Sequence, residues 1–172
     1  GRARGGEDGP PVSINPQAHL LLTLAQWHAA RAQWPRDVLL GLSLNNDQDV
    51  EDIAGDIESF AVVGLHFPKW VDGRAYSQAR LLRSRYRFRG EIRAMGEVLV
   101  DMIPLLVRTG FDAAMMRSDQ SADVARQALQ AFRGHYQGDV RARLPLFALP
   151  PGAADALARE PVREFVNEGA AI

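Results

Sequence analysis

The chain contains no cysteine. That absence excludes disulfides, thiol redox chemistry, a cysteine nucleophile and any cysteine-ligated iron–sulfur cluster. Lysine is nearly absent too. The basic residues are arginines except for Lys69, so Schiff-base chemistry could rest only on that one side chain. Long hydrophobic runs are missing. The longest candidate, Leu20–Leu24, falls far short of the roughly 18 residues a membrane helix needs. No apolar h-region follows the N-terminus, so Gly1–Pro11 does not read as a secretory signal. The phosphate and nucleophile motifs GxGxxG, GxxxxGK[ST] and GxSxG are absent. His19, His28, His66 and His135 are scattered, with no HExxH spacing. The sequence therefore points to no metal and no cofactor of its own.

What is present suits one soluble α/β domain. The chain has 172 residues, 47% hydrophobic and 24% charged, with a formal net charge of −1. That length can bury a sizeable core. The near-neutral charge provides no field steering it toward nucleic acid or a membrane surface. Residues 1–17 read as a loosely attached polar tail, 18–138 as the domain, and 139–172 as a proline-rich extension with a weak helix around Ala153–Val166.

Within the domain, hydrophobic periodicity predicts an N-terminal helix over His19–Trp34, with Leu20, Leu24, Trp27 and Arg31 on one stripe. Four βα units follow. Val38–Leu44, Ala61–Phe67, Glu91–Met95 and Phe111–Met116 read as strands, the first two apolar throughout, as in strands buried on both faces. Between and after them come helices over Asp49–Phe60, Gly73–Tyr86, Val100–Arg108 and Ala122–Phe132. Asp47 or Asp49, Asp101, and Asp119 or Ser121 are cap candidates, and Thr109-Gly110 is a helix stop. In the Gly73–Tyr86 helix, Ala75, Ala79 and Leu82 are expected inward with Leu81 beside them. Such alternation predicts a mostly parallel sheet, either half-barrel-like or a small open sheet. A half barrel would leave edges for a second subunit to cover, making a homo-oligomer possible on pattern alone.

Parallel sheets place ligands at the carboxyl ends of their strands. That rule nominates Ser43–Asp47, His66–Arg74, Arg93–Glu97 and Arg117–Gln120. The second loop is the richest. Gly73 and the helix N-terminus after it, with Arg74, Tyr76 and Ser77, could hold a small oxyanion, and Arg93 could close a clamp from the neighbouring strand. His66, Lys69, Asp72, Arg80 and Asp101 are secondary candidates. Asp72 would repel an anion, but it could instead cap the helix or orient Arg74. The bland alternative is a turn and a capped helix. Arg80, Arg83 and Arg87 recur at i, i+3 and i+7, which reads as one basic face, either a solvated surface or a contact for an acidic partner.

Three runs carry a resemblance: DGR-YSQARLLR from Asp72, RGE-RA-GEVL-D from Arg89, and R-GFDA from Arg108. They resemble the bacterial Domain of Unknown Function 934 family, over roughly Val38 to Gln137 and most closely from Asp72 to Asp112. The chain departs from the family pattern with Met102 in place of glutamine, Thr109 in place of cysteine, and Ala114-Met115 where an aromatic is usual. Members are often labelled oxidoreductases of sulfite reduction. The resemblance thus implies a cytoplasmic bacterial accessory protein of assimilatory sulfite reduction, with sulfite reductase as partner. It transfers no catalytic residue. Two rival classes are an oxidoreductase using a flavin or nicotinamide, and a non-catalytic oligomeric scaffold built on the N-terminal helix.

Overall fold

The computed structural model describes Pro16 and residues 20–131. The expected tail apart from Pro16, the extension over 139–172, and His19 and His135 lie outside the described residues. The fold is α/β, with one sheet of five strands, all parallel, in the spatial order of the sequence. The strands are β1 (Leu21–Thr23), β2 (Leu40–Leu44), β3 (Phe60–Phe67), β4 (Glu91–Gly96) and β5 (Ala113–Ala114). The helices are α1 (Leu24–Ala30), α2 (Arg74–Ser84), α3 (Ile103–Thr109) and α4 (Ala122–Ala131), with a long 3₁₀ segment at Val50–Ser59. β1 and β5 stand at opposite ends of the strand order, so the sheet is open rather than a closed barrel.

The fifth strand, β1, corrects the sequence reading. Leu21–Thr23 were expected as the first turn of a helix. Instead Leu21, Leu22 and Thr23 pair with Gly41, Leu42 and Ser43. The helix starts one residue later because Thr23 and Gln26 form a reciprocal capping box: Gln26 N–H donates to Thr23 Oγ1, and Thr23 N–H donates to Gln26 Oε1. α1 turns Leu24 and Trp27 inward, while Arg31 stays on the surface. The Trp27 ring meets Phe60 edge-on at 5.2 Å, and its indole N–H donates to Asp56 at 2.9 Å.

Register sets the core. Leu22, Leu42, Val63 and Ile92 are in register across four strands, and all are fully buried. Leu44, Leu65, Ala94 and Ala114 form the next row. Helices lie against this face, as the 5.0 Å contact of Phe67 with Tyr76 of α2 shows. Side chains alternate along a strand, so Gly64, His66, Arg93 and Met95 lie on the opposite face. Burying the aliphatic side chains contributes roughly 1.5–3 kcal/mol each before entropy is counted.

Other boundaries shift for identifiable reasons. The segment after β2 is a 3₁₀ helix rather than an α-helix. Its two buried residues, Val50 and Ile53, are three apart, the spacing at which 3₁₀ side chains eclipse. Asp49 caps it as expected, accepting from Glu51 N–H. Asp101 does not cap the next helix. The Val100 N–H is taken by the side chain of Gln120 at 3.0 Å, and Asp101 stays exposed in a short 3₁₀ turn ahead of α3. Asp119 does not cap α4 either, because Arg117 holds its carboxylate. Leu81 is surface-exposed rather than inward. α3 ends at Gly110, whose φ of 108° is a left-handed stop. β5 is only two residues long; Phe111, expected in it, packs against Phe67 and Tyr76 instead.

Candidate functional site

The carboxyl ends of the strands gather the loops that follow β2, β3, β4 and β5. After β3 the chain makes a tight turn in which Asp72 N–H donates to Lys69 O at 3.0 Å. Trp70 and Val71 form its tip, 56% and 66% exposed. Lys69 is exposed beside them.

Asp72 anchors this turn on three sides. Its Oδ1 accepts the Arg74 backbone N–H at 3.1 Å, so it caps α2 from one residue before Gly73. Its Oδ2 accepts Asn46 Nδ2 at 2.6 Å from the β2 loop and Arg74 Nη2 at 2.7 Å. The Arg74 side-chain hydrogen bonds, then that backbone bond, hold the Asp72 carboxyl down at about 2, and the same carboxylate raises the Arg74 guanidinium. Gln78 locks the neighbouring loop. Its side-chain amide donates to Asn45 O at 2.9 Å and Gln48 O at 2.8 Å from a largely buried position. The two loops are thereby tied to one helix.

A second charged group joins the loops after β4 and β5. Arg117 reaches Glu97 at 3.0 Å and Asp119 at 2.7 Å. The contact with Arg117 lowers the Asp119 carboxyl, and both carboxylates raise the arginine. Gly96 precedes this group with φ 91°. A Cβ there would come within 2.4 Å of Phe67 O and about 3.0 Å of the His66 ring, so a side chain is excluded on two counts.

The candidate residues divide. Asp72, Gly73 and Arg74 come together. Asp72 itself occupies the helix N-terminus and takes the Arg74 fork, so an oxyanion at this point would compete with a carboxylate already in place. Gly73 has an ordinary φ of −83°, and a Cβ there would meet nothing within 4 Å. Tyr76 is a packing residue, its ring against Phe67 and Phe111 and its hydroxyl pushed up by burial. Ser77 and Arg80 lie exposed on α2. Arg93 is not brought to Arg74. It lies on the sheet face away from α2, and its Nε donates to Glu91 at 2.6 Å. His66 shares that face, with its ring beside Gly96.

Asn46, Glu97 and Arg117 belong to the site and lie in loops nominated from the sequence, though without an assigned role, whereas Gln78 lies outside those loops. The strand-end rule marks most of their loops. The partnerships across loops carry no local signal. Among the described residues, no group of three or more histidine, aspartate or glutamate side chains could hold a metal ion, and no helix is long and apolar enough to cross a membrane.

The expected basic face also resolves differently. Arg83 turns inward at the opposite end of the sheet. It donates to Gly110 O at 2.9 Å, Phe88 O at 2.7 Å and Gly90 O at 2.9 Å, and it pairs with Asp112. Asp112 also accepts Ile92 N–H at 3.0 Å. Thr109, standing where the family pattern has cysteine, is 5% exposed, and its hydroxyl bonds back to Leu105 O and Leu106 O. This position packs the interior rather than presenting chemistry.

No curated protein matches the chain. A family model described as a bacterial protein of unknown function matches residues 41–147, a span that runs from β2 past the end of α4 and contains both charged groups at the strand ends. Covering more than half of the sequence, that match shows that the chain belongs to the DUF934 family of bacterial proteins.

Proposed function

We propose that this protein is a docking accessory of assimilatory sulfite reduction that recognises a protein partner, sulfite reductase, through its strand-end surface. The process comes from the label that family members often carry. The docking mode rests on one observation: Trp70 and Val71 project from a turn whose base is fixed by Asp72, Asn46 and Arg74. Tryptophan and arginine are the residues most enriched among interface hot spots. A turn held rigid before contact loses little ordering entropy on binding. The charged groups beside it already satisfy one another, which suits a rim around an apolar anchor better than a pocket for a free oxyanion. The scaffold alternative gains no support from α1, whose apolar residues Leu24 and Trp27 lie in the core.

The test is binding of the purified chain to immobilised sulfite reductase. Trp70→Ala should weaken it by about tenfold or more, equivalent to about 1.4 kcal/mol. Absence of binding, or equal binding by the variant, would overturn the docking reading. Calorimetric titration with sulfite, sulfate and phosphate runs beside it. A saturable anion isotherm abolished by Arg74→Ala would favour a ligand pocket instead.

A further inference from the structure

We infer that the loop ending α2, Arg85–Arg89, is a docking surface for an acidic segment of a partner protein. This surface lies at the amino end of the sheet, away from the Trp70 turn, and does not depend on the reading above.

The loop leaves the helix through backbone hydrogen bonds that reach back further than the helical four residues. Phe88 N–H reaches back six residues to Leu82 O at 2.9 Å, and Tyr86 N–H bonds Leu81 O at 3.1 Å. A residue in the left-handed region just past a helix end is normally glycine. Here it is Arg87, with φ 53°, the one non-glycine residue with positive φ among those described. An arginine is therefore held where its backbone is strained and a glycine would not be. Among the described residues no hydrogen bond of its side chain repays that strain. Arg87 and Arg89 are exposed, and neither guanidinium makes an ion pair among the described residues. Backbone strain of this kind gathers at functional positions.

The residues between the arginines face the other way. Phe88 is 6% exposed and lies under Arg83, whose guanidinium carbon is 5.7 Å from the ring centre. Tyr86 is half-buried, with Arg85 5.6 Å from its ring centre. Three cations spaced two residues apart thus project from a turn held down by its own aromatics. Arg85 also contacts Glu51 at 3.2 Å, but both side chains are mostly exposed, and such a surface pair is weak and exchangeable. Arginine forks bind carboxylates in pairs of parallel hydrogen bonds. A single-stranded nucleic acid would need open aromatic faces for its bases. Phe88 and Tyr86 do not offer them, so the row fits carboxylates on a protein.

The probe is a fluorescein-labelled octaglutamate peptide, titrated with the full chain and read by fluorescence anisotropy. The unmodified chain should bind it, and added salt should weaken the binding because exposed charges are screened. Arg87→Gly should lose about threefold in affinity, and Arg87→Gly with Arg89→Gln about tenfold. The same Arg87→Gly variant should unfold at a higher urea concentration than the unmodified chain. Stability gained while affinity is lost is a combination that a purely structural arginine cannot produce. Arg126→Gln, an equal charge change on α4, should bind normally. Failure of the unmodified chain to bind the peptide would overturn the inference. So would unchanged affinity in the Arg87→Gly variant, an equal loss in Arg126→Gln, or tighter binding of single-stranded DNA of the same charge.

Discussion

The two ends of the sheet both carry arginine–aspartate pairs, and the pairs do different work. At the amino end, the Arg83 side chain is 17% exposed and ties three backbone carbonyls and Asp112 into one knot. It joins α2, the turn before β4, the stop of α3 and the start of β5. At the carboxyl end, the Arg74 side chain is 61% exposed and grips Asp72 two residues away, within one loop. The same chemical pair is a structural fastener in one place and a trim for a recognition turn in the other. Covered long-range partners make the first kind; exposed sequence neighbours make the second.

Substitution should separate them. Arg83→Ala leaves three carbonyls and a carboxylate without their partner, so it should destabilise the fold by about 3 kcal/mol, read as a lower urea midpoint. Asp112→Ala should cost less, about 2 kcal/mol, because Arg83 keeps its carbonyls while Ile92 N–H loses its acceptor. Arg87→Gly moves the midpoint the other way, by about 1 kcal/mol, since glycine adopts the left-handed region without strain. Arg74→Ala should leave the midpoint nearly unchanged. If it lowers the midpoint as far as Arg83→Ala does, the contrast between the ends fails.

Acid offers the finest probe. The Asp72 carboxyl is held at about 2 against an ordinary value of 3.8. A depressed carboxyl stabilises the folded state fully above its unfolded value and loses that contribution as pH falls. The anchoring of the Trp70 turn should therefore persist at pH 5 and loosen only between roughly pH 4 and 2. The Asp72 carboxyl carbon, followed by nuclear magnetic resonance, should titrate well below the free aspartate value. A midpoint near 3.8 would show that the Arg74 contact does not persist in solution.

Much of this was legible in the sequence. β3 could be read because AVVGLHF is apolar along most of its length, although Phe60, expected to end the preceding helix, opens the strand instead. α2 could be read because Ala75, Ala79 and Leu82 keep helical spacing, and all three are buried. β1 could not, because three residues define it only through Gly41–Ser43, and Leu20 and Leu24 on either side of it suit a helical stripe. The inward turn of Arg83 was hidden for the same reason: its partners are carbonyls at Phe88, Gly90 and Gly110, and carbonyls leave no mark on composition. At the site, Asp72 beside a helix start was readable as a cap or a partner for Arg74, and it is both. The supposed clamp with Arg93 assumed that neighbouring strand ends share a face. Side-chain alternation along β4 decides that, and it points Arg93 to the other side.

The strand order has a consequence for how the molecule comes into being. Among the described residues each strand lies beside its neighbour in sequence, so no pairing there skips a strand. Each parallel pairing must still close a crossover, which is the slow step in building a sheet of this kind. During synthesis from the amino end, every βα unit emerges to find its docking edge already built. The sheet can grow by accretion, strand upon strand. The Arg83–Asp112 contact, which needs the chain as far as β5, then acts as a late fastening across units already laid down.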